Sequence, residues 1–251
     1  MQKKTFIVNG VSQTVEIEQE TSLGDVLRQE LLLTGTKISC KEGHCGACSV
    51  IVDGKLSLAC VTRAKRVPDG AKITTIEGIG TPEKMHPLQV AFAAHGAAQC
   101  GFCTPGMIVS SKVLLDQNPD PSREEVRDWL SKHHNVCRCT GYKPIVDAIM
   151  DAGKVLRGEM NQADLEFKMP ADGHIWGSKY PRPTAKAKVT GTLDFGQDLA
   201  LKMPTNTFRL ALVQAKVPHA NILSIDTSAA EKMPGVFKVV THKDVKGKNR
   251  I

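Results

Sequence analysis

The sequence predicts an α+β chain in which a small sheet domain is followed by a helical domain. Three observations predict it. Residues 1–79 alternate apolar and polar side chains between turn signals, as half-buried strands do. From about residue 84 the apolar residues recur at helical spacing behind capping signals. All eight cysteines fall into two groups of four, one in each region.

The sheet domain is predicted to begin with a hairpin. Residues 3–9 and 11–18 alternate around Asn9-Gly10, the strongest short-range hairpin signal. Ser22, with Asp25 three residues later, resembles a capping box and predicts a helix start. Further strands are predicted at Ser49–Val52, Leu56–Val61 and Ile73–Ile76. Hairpin, helix and further strands is the order of a β-grasp ferredoxin domain.

The helical domain, residues 80–158, is predicted to hold four helices. One covers Pro87–Ala98, and a second follows Thr104-Pro105, interpreted as N-cap and first helical position. A third follows the capping signature at Ser122, and a fourth starts at Pro144. Helices of this length with short loops predict a four-helix bundle.

Each cysteine group is spaced like a ligand set. The first reads C-x4-C-x2-C with a fourth cysteine after a short strand, and comprises Cys40, Cys45, Cys48 and Cys60. The second reads C-x2-C and then C-x-C, and comprises Cys100, Cys103, Cys137 and Cys139. The first spacing is that of plant-type [2Fe–2S] ferredoxins. Both pairs of the second group precede predicted helix starts, whose free N–H groups suit an anionic cluster.

Other interpretations of these cysteines remain open. A disulfide framework is disfavoured because 251 residues can form a core without crosslinks and because no secretory signal is present. Structural zinc fits the x4 gap poorly but fits the second group better. His44 lies inside the first group, yet a Rieske site needs two histidines in place of two cysteines. A zinc-binding module and a stand-alone electron carrier therefore stay as alternative functions.

The charge of +7 does not predict nucleic-acid binding. Residues 1–160 hold 19 basic and 18 acidic side chains, so the excess lies in residues 161–251, including Lys243, Lys246, Lys248 and Arg250. No nucleic-acid motif accompanies it. No apolar run approaches the roughly 20 residues of a membrane span. Reduced thiols without an export signal predict that the protein is located in the cytoplasm.

Residues 159–192 contain several prolines and glycines but no periodic element, which predicts an extended linker. Short strands are predicted beyond it at Phe208–Val213, Ile222–Ile225 and Val236–Val240. These strands are too few to close a sheet. Residues 193–251 are therefore interpreted as the incomplete beginning of a larger domain.

Three motifs resemble those of the molybdenum hydroxylases, the xanthine oxidase family, and in particular its aldehyde-oxidising members. They are Cys40-Lys-Glu-Gly-His-Cys-Gly-Ala-Cys-Ser, Gln99-Cys-Gly-Phe-Cys-Thr-Pro-Gly and Cys137-Arg-Cys-Thr-Gly-Tyr. The resemblance continues into His219-Ala-Asn-Ile and Met233-Pro-Gly-Val, which look like the opening of the molybdenum portion. It implies two [2Fe–2S] clusters relaying electrons from a molybdenum–pterin (molybdopterin dinucleotide) centre that converts aldehydes to carboxylic acids.

The resemblance also assigns roles. Gln99 and Cys139 match positions that approach the pterin, and the second cysteine group lies nearer to it than the first. Arg138, between two ligands, is expected either to raise its cluster's potential or to form a surface ion pair. The family's catalytic residues would lie beyond residue 251, so none is assigned here. The segment between the iron–sulfur and molybdenum portions is too short to hold a flavin domain. Gly78-Ile-Gly80 is only part of a dinucleotide-binding fingerprint, so no FAD or NAD site is expected. An external flavodoxin or ferredoxin would accept the electrons, and a homodimer is expected.

Overall fold

The computed structural model describes residues 1–248 and divides into two compact units, residues 1–202 and a second unit that begins at Met203. Residues 249–251, which include Arg250 of the basic C-terminal segment, lie outside the described residues. None of the helices in residues 1–248 is both long and apolar enough to span a bilayer.

The first unit opens with a five-stranded mixed sheet. Its strands are β1 (Gln2–Val8), β2 (Val11–Ile17), β3 (Ser49–Val52), β4 (Lys55–Leu58) and β5 (Lys72–Thr74). Their order is β2-β1-β5-β3-β4, and only β1 and β5 are parallel. The predicted hairpin is confirmed: Val8 pairs with Val11, and Asn9 and Gly10 take φ of 50° and 85°. Two consecutive left-handed residues match the right-handed twist of the strands they join.

One face of this sheet is covered by a short helical segment. It starts as α1 (Leu23–Asp25) and continues as one π-helical turn, Val26–Glu30. The predicted cap at Ser22 is confirmed, since its hydroxyl accepts the Asp25 backbone N–H at 3.0 Å. The segment buries Leu23, Val26 and Leu27 against the sheet core, so the hairpin and the segment share one apolar layer.

Four helices follow the sheet and share a second core. They are α2 (Pro87–Ala94), α3 (Thr104–Gln117), α4 (Arg123–Lys132) and α5 (Lys143–Leu156). The capping box at Ser122 and the start near Pro144 are confirmed. The predicted N-cap Thr104 is wrong by one residue, because Cys103 is the N-cap and makes no side-chain capping bond. Its sulfur is therefore left for another partner.

Residues 185–202, which we call the anchor segment, form the end of the first unit and pack against the rest of it. Two short helices form there, α6 (Ala185–Val189) and α7 (Gly196–Lys202). The sequence predicted an extended linker over 159–192 and missed α6, in which Val189 is fully buried. Hydrophobic periodicity does not reveal a helix of five residues, because it completes little more than one turn.

A buried group of one carboxylate and two cations, which we call the Asp198 cluster, holds the anchor segment in place. The Asp198 carboxylate accepts Arg28 Nη2 and Lys37 Nζ, both at 2.6 Å, and none of its side chain is exposed. Arg28 also donates to the carbonyls of Thr34 and Thr36. Burial alone would raise the pKa of Asp198, but the bonds from Lys37, the Phe195 N–H and Arg28 outweigh it, so the pKa lies below its ordinary value.

The second unit, described for residues 203–248, contains α8 (Ser228–Glu231) and a 3₁₀ turn at His242–Asp244. The strands predicted at 208–213, 222–225 and 236–240 are not formed within the described chain. Their apolar side chains, such as Leu210 and Leu223, lie exposed. A strand needs a partner for its backbone N–H and C=O groups, and these stretches do not pair with one another.

Replacing Asp198 by Asn should destabilise the protein, because Arg28 would keep its buried charge without a counterion. Lys37, whose pKa is already lowered by burial, would lose the carboxylate that favours its charged form. Breaking a buried pair in this way costs about 3 kcal/mol or more, which corresponds to a melting temperature lowered by roughly 6–12 °C. Thermal unfolding of the protein at pH 7 measures this difference.

Asp194→Asn is the matched control, because Asp194 pairs with the partly exposed Lys202 in the same segment and should shift melting little. Since the folded-state pKa of Asp198 is lowered, its contribution is fully present above the ordinary value and disappears only as the pH falls through the folded value. Titration of Asp198 itself should therefore add no pH dependence to the stability of the wild type between pH 6 and 8. Equal melting temperatures for Asp198→Asn and Asp194→Asn would contradict this account.

Candidate metal centres

The first cysteine group is gathered by a tight loop between the π-helical turn and β3. Lys41, Gly43 and Gly46 take φ of 61°, 78° and 65°, which curls the backbone and turns its N–H groups inward. The N–H groups of Glu42 and His44 both donate to Cys40 Sγ at 3.4 Å. Donors aimed at a sulfur are what an anionic thiolate ligand requires.

Two members of this group lie next to the strands β3 and β4. Cys48 immediately precedes β3, and Cys60 lies two residues after β4. These two strands are paired, and Ala59 donates to the Cys48 carbonyl at 3.1 Å. The β3–β4 hairpin therefore brings a distant fourth cysteine to a loop that supplies three.

The thiols of this group differ in acidity. Burial acts to raise the pKa of Cys40, but the two backbone donors lower it to about 7. Burial raises the pKa of the Cys48 thiol to about 12, and the adjacent sulfur atoms of Cys60 and Cys45 add to this rise. Thiols this close to one another repel as thiolates, and a coordinated metal cation is what holds such a set deprotonated.

The second group is assembled at the start of two helices. Cys103 is the N-cap of α3, and Cys137 and Cys139 lie shortly before α5. Cys139 Sγ is 3.5 Å from Cys100 Sγ and 4.0 Å from Cys137 Sγ. Burial, and then the charge of Cys137, raise the pKa of Cys103. The four predicted members thus lie in one region, where Cys137 is buried, Cys103 is half-buried, and Cys100 and Cys139 are exposed.

Tyr142 fixes the Cys137 end of this group. Its hydroxyl accepts the Cys137 N–H at 2.8 Å and donates to the Asn135 carbonyl at 3.2 Å. Tyr142 itself takes the left-handed φ of 64°, directly before α5. Thr140 Oγ1 lies 3.1 Å from Cys137 Sγ and adds a polar contact to the sulfur.

A close backbone contact joins the two groups. The Val136 N–H donates to the Cys45 carbonyl at 3.2 Å, so the residue before Cys137 is bonded to a member of the first group. At Gly106 in α3, an added Cβ would lie 2.3 Å from the Gly46 carbonyl oxygen and 2.8 Å from that of Ala47. Only glycine lets the helix approach the loop this closely.

The buried residue Asn135 supports the same junction. It lies 3% exposed, and its Oδ1 accepts the Ser110 hydroxyl at 2.7 Å. The Ser110 hydroxyl accepts Trp129 Nε1 in turn, at 3.0 Å. The sequence did not reveal this network, since no spacing rule connects residues on α3, on α4 and in the stretch between α4 and Cys137.

The remaining predicted site residues lie at or near the second group. Gln99 is half-buried and its carbonyl accepts Lys188 Nζ at 2.6 Å, a contact that the sequence did not reveal. Arg138 is exposed. His44 is also exposed and meets His134 edge-on, with ring centroids 6.3 Å apart. In residues 1–248 no three Cys, His, Asp or Glu side chains close around the position of a single metal ion.

Comparison with known proteins matches three family models along the chain. Residues 6–65 match the 2Fe-2S iron-sulfur cluster binding domain, and residues 75–150 match the [2Fe-2S] binding domain. Residues 190–251 match the aldehyde oxidase and xanthine dehydrogenase a/b hammerhead domain.

Individual proteins are also similar to this chain in sequence and in structure. Aldehyde oxidoreductase of Megalodesulfovibrio gigas is 67% identical over the whole chain, which spans 28% of that relative's length. The solved structure of aldehyde oxidoreductase from Desulfovibrio gigas matches with a TM-score of 0.90, at 67% identity, over 100% of this chain and 28% of that one. The nicotine 6-hydroxylase small subunit of Paenarthrobacter nicotinovorans is 46% identical over 58% of this chain and 86% of its own length.

Gly106→Ala should destabilise the junction between the two groups. The new methyl group meets backbone oxygens that cannot rotate away, and overpacking of this kind costs about 2 kcal/mol. We expect a melting temperature lowered by roughly 4–8 °C and reduced iron incorporation, measured by thermal unfolding and iron analysis.

Gly153→Ala, in the last turn of α5, is the matched control. The nearest atom to its added Cβ would be 3.2 Å away, at the movable end of the Arg157 side chain. Alanine also favours a helix by up to about 1 kcal/mol over glycine. If both variants melt alike, the close approach at Gly106 is not what limits stability.

Proposed function

The chain belongs to the xanthine oxidase family of molybdenum hydroxylases, and from that premise we propose that it is the electron-relay portion of a molybdenum-dependent aldehyde oxidoreductase. The matches reported above confirm that the three cysteine motifs resemble those of this family. They also confirm two [2Fe–2S]-binding domains in a chain of mixed α and β structure. The activity, substrate and partners of the longer relatives are extended to this chain as a proposal.

One observation supports the relay above all: a backbone hydrogen bond from the Val136 N–H to the Cys45 carbonyl joins the residue before Cys137 to a member of the first cysteine group. We assign Cys40, Cys45, Cys48 and Cys60 as ligands of the first [2Fe–2S] cluster. The second cluster takes Cys100, Cys103, Cys137 and Cys139. The loop donors at Cys40 and the helix starts beside Cys103 and Cys139 suit anionic clusters.

When bound, each [2Fe–2S] cluster accepts one electron at a time, so two in series divide the pair released by substrate oxidation. In that oxidation an aldehyde and water give a carboxylic acid, two protons and two electrons. The residues of this chain position the two ligand sets. The Cys45–Val136 bond and the Gly106–Gly46 contact hold the two ligand sets next to each other without a mobile linker between them.

The second set is proposed to face the molybdenum–pterin centre, because two of its sulfur ligands, Cys100 and Cys139, are exposed. Gln99 and Cys139 would approach the pterin dinucleotide. We keep the finer domain assignment as part of the proposal: a β-grasp domain over 1–79, a four-helix bundle over 80–158, a linker over 159–192, and the start of the molybdenum portion over 193–251. No catalytic residue is assigned within this chain.

The outlet is proposed at the first set, toward an external flavodoxin or ferredoxin. Glu42 and His44 of its loop are exposed, as is Val136 beside it. We propose no FAD or NAD site here, a cytoplasmic location in keeping with eight unbridged cysteines, and a homodimer. Flavin bound to the purified full-length enzyme would contradict the external acceptor.

A second candidate is a separate small iron–sulfur subunit without chemistry of its own. The match to a Paenarthrobacter nicotinovorans protein named as a small subunit favours it. The match of residues 190–251 to a hammerhead domain favours the longer enzyme. Continuation of the reading frame through a molybdenum domain decides between them.

Iron analysis and EPR of the reduced protein test the ligand assignment. We expect about four irons per chain and two separate [2Fe–2S] signals. Cys48→Ser should abolish one signal and Cys103→Ser the other, each leaving about half the iron. His44→Ala is the control and should keep both signals. Stoichiometric zinc in a colourless protein would replace the relay with a structural zinc module.

A further inference from the structure

Lys188 of the anchor segment lies directly against the turn that carries Cys100. Its Nζ donates to the Gln99 carbonyl at 2.6 Å, across 89 residues of sequence. The side-chain stem covers Gly101, where an added Cβ would lie 2.6 Å from both Cγ and Cδ of Lys188. Lys188 therefore spans the backbone on both sides of Cys100.

This position depends on glycine at residue 101. Gly101 takes φ of 90°, a left-handed conformation that L side chains rarely adopt, and it has no Cβ to hold the lysine away. The ammonium consequently reaches the peptide next to a cysteine ligand while its own side chain is half-buried. Charges at such sites are screened less than charges in open solvent.

The helix that carries Lys188 is itself fixed. Gln89 Nε2 donates to the Val189 carbonyl at 3.2 Å, and Val189 is fully buried. Phe102, between Cys100 and Cys103, packs edge-on against Phe195 of the same segment, with ring centroids 5.3 Å apart. Two contacts with the anchor segment thus flank Cys100, and one of them is cationic.

We propose that Lys188 is a positioning residue that raises the reduction potential of the second [2Fe–2S] cluster by holding a positive charge beside Cys100. The proposal rests on the ligand assignment made above. Reduction adds an electron to a cluster that is already anionic, so a nearby ammonium stabilises the reduced state more than the oxidised one. A higher potential on the second cluster favours its taking electrons from the molybdenum side.

The alternative is that Lys188 only fastens the anchor segment. The two roles predict different results. Fastening the anchor segment requires no positive charge beside the second cluster, and its loss would not change the reduction potential of that cluster alone. Lys186 lies on the same helix and is exposed, so its removal changes the charge of α6 without touching the Cys100 turn. It supplies the matched control.

The test is an EPR-monitored redox titration of both clusters in the full-length enzyme. Lys188→Met keeps the stem over Gly101 and removes the charge. It should lower the midpoint potential of the second cluster, reducing the ratio of reduced to oxidised cluster at fixed potential on the order of tenfold. The first cluster is an internal reference and should not shift. Lys188→Arg should retain most of the wild-type potential, and Lys186→Met should match wild type.

An unchanged second-cluster potential in Lys188→Met would overturn the proposal, as would equal shifts in Lys188→Met and Lys186→Met. Lys188→Gln is measured as well, with iron content. If both uncharged variants lose the second cluster's iron, Lys188 serves assembly and the tuning role is wrong. Absence of two [2Fe–2S] signals from the wild type would instead contradict the proposed function.

Discussion

The structure depends on one close approach, that of helix α3 to the loop of the first cysteine group. Helix and loop meet backbone to backbone at Gly106 and Gly46, with no side chain between them. The same helix begins at Cys103 of the second group, so the contact fixes the distance between the two groups. The Val136–Cys45 hydrogen bond then closes the junction from the other side. Two cores, one under the sheet and one among the helices, meet at this junction in a single unit, and Ile51 of β3 is itself part of the helical core.

The anchor segment makes a second connection that is independent of the first. Its C-terminal half is held by Asp198, which binds Arg28 and Lys37 of the sheet domain. Its N-terminal half is held by the hydrogen bond from Gln89 of the helical domain to the Val189 carbonyl. A buried cluster of one anion and two cations has a large desolvation cost, and it persists only because each charge has partners with good geometry. Arg28 and Lys37 both bridge the anchor segment to the stretch that leads into Cys40, since Arg28 also binds the Thr34 and Thr36 carbonyls.

Local signals explain what the sequence predicted correctly. Asn9-Gly10, the Ser22 and Ser122 caps and the alternation in β1 act over a few residues, and the structure confirms each of them. The cysteine spacing also placed Cys100, Cys137 and Cys139 in one group, and their sulfur atoms lie close together in the structure. Asp198 was missed because its partners lie 161 and 170 residues away and an isolated aspartate has no pattern. The predicted strands after residue 203 failed for the opposite reason: their local pattern is sound, but within the described chain no neighbouring strand pairs with them.

The two halves of the anchor segment differ in what they can influence. Asp198 and its cations are buried around residues that precede the first group, whereas the Lys188 side chain contacts the turn at Cys100. Because α6 has its own hydrogen bond from Gln89, loss of the Asp198 cluster need not move Lys188. Stability and the potential of the second cluster are then controlled by separate residues of one short segment. A change at residue 198 should appear in melting, and a change at residue 188 in the redox titration, so each effect is measurable without the other.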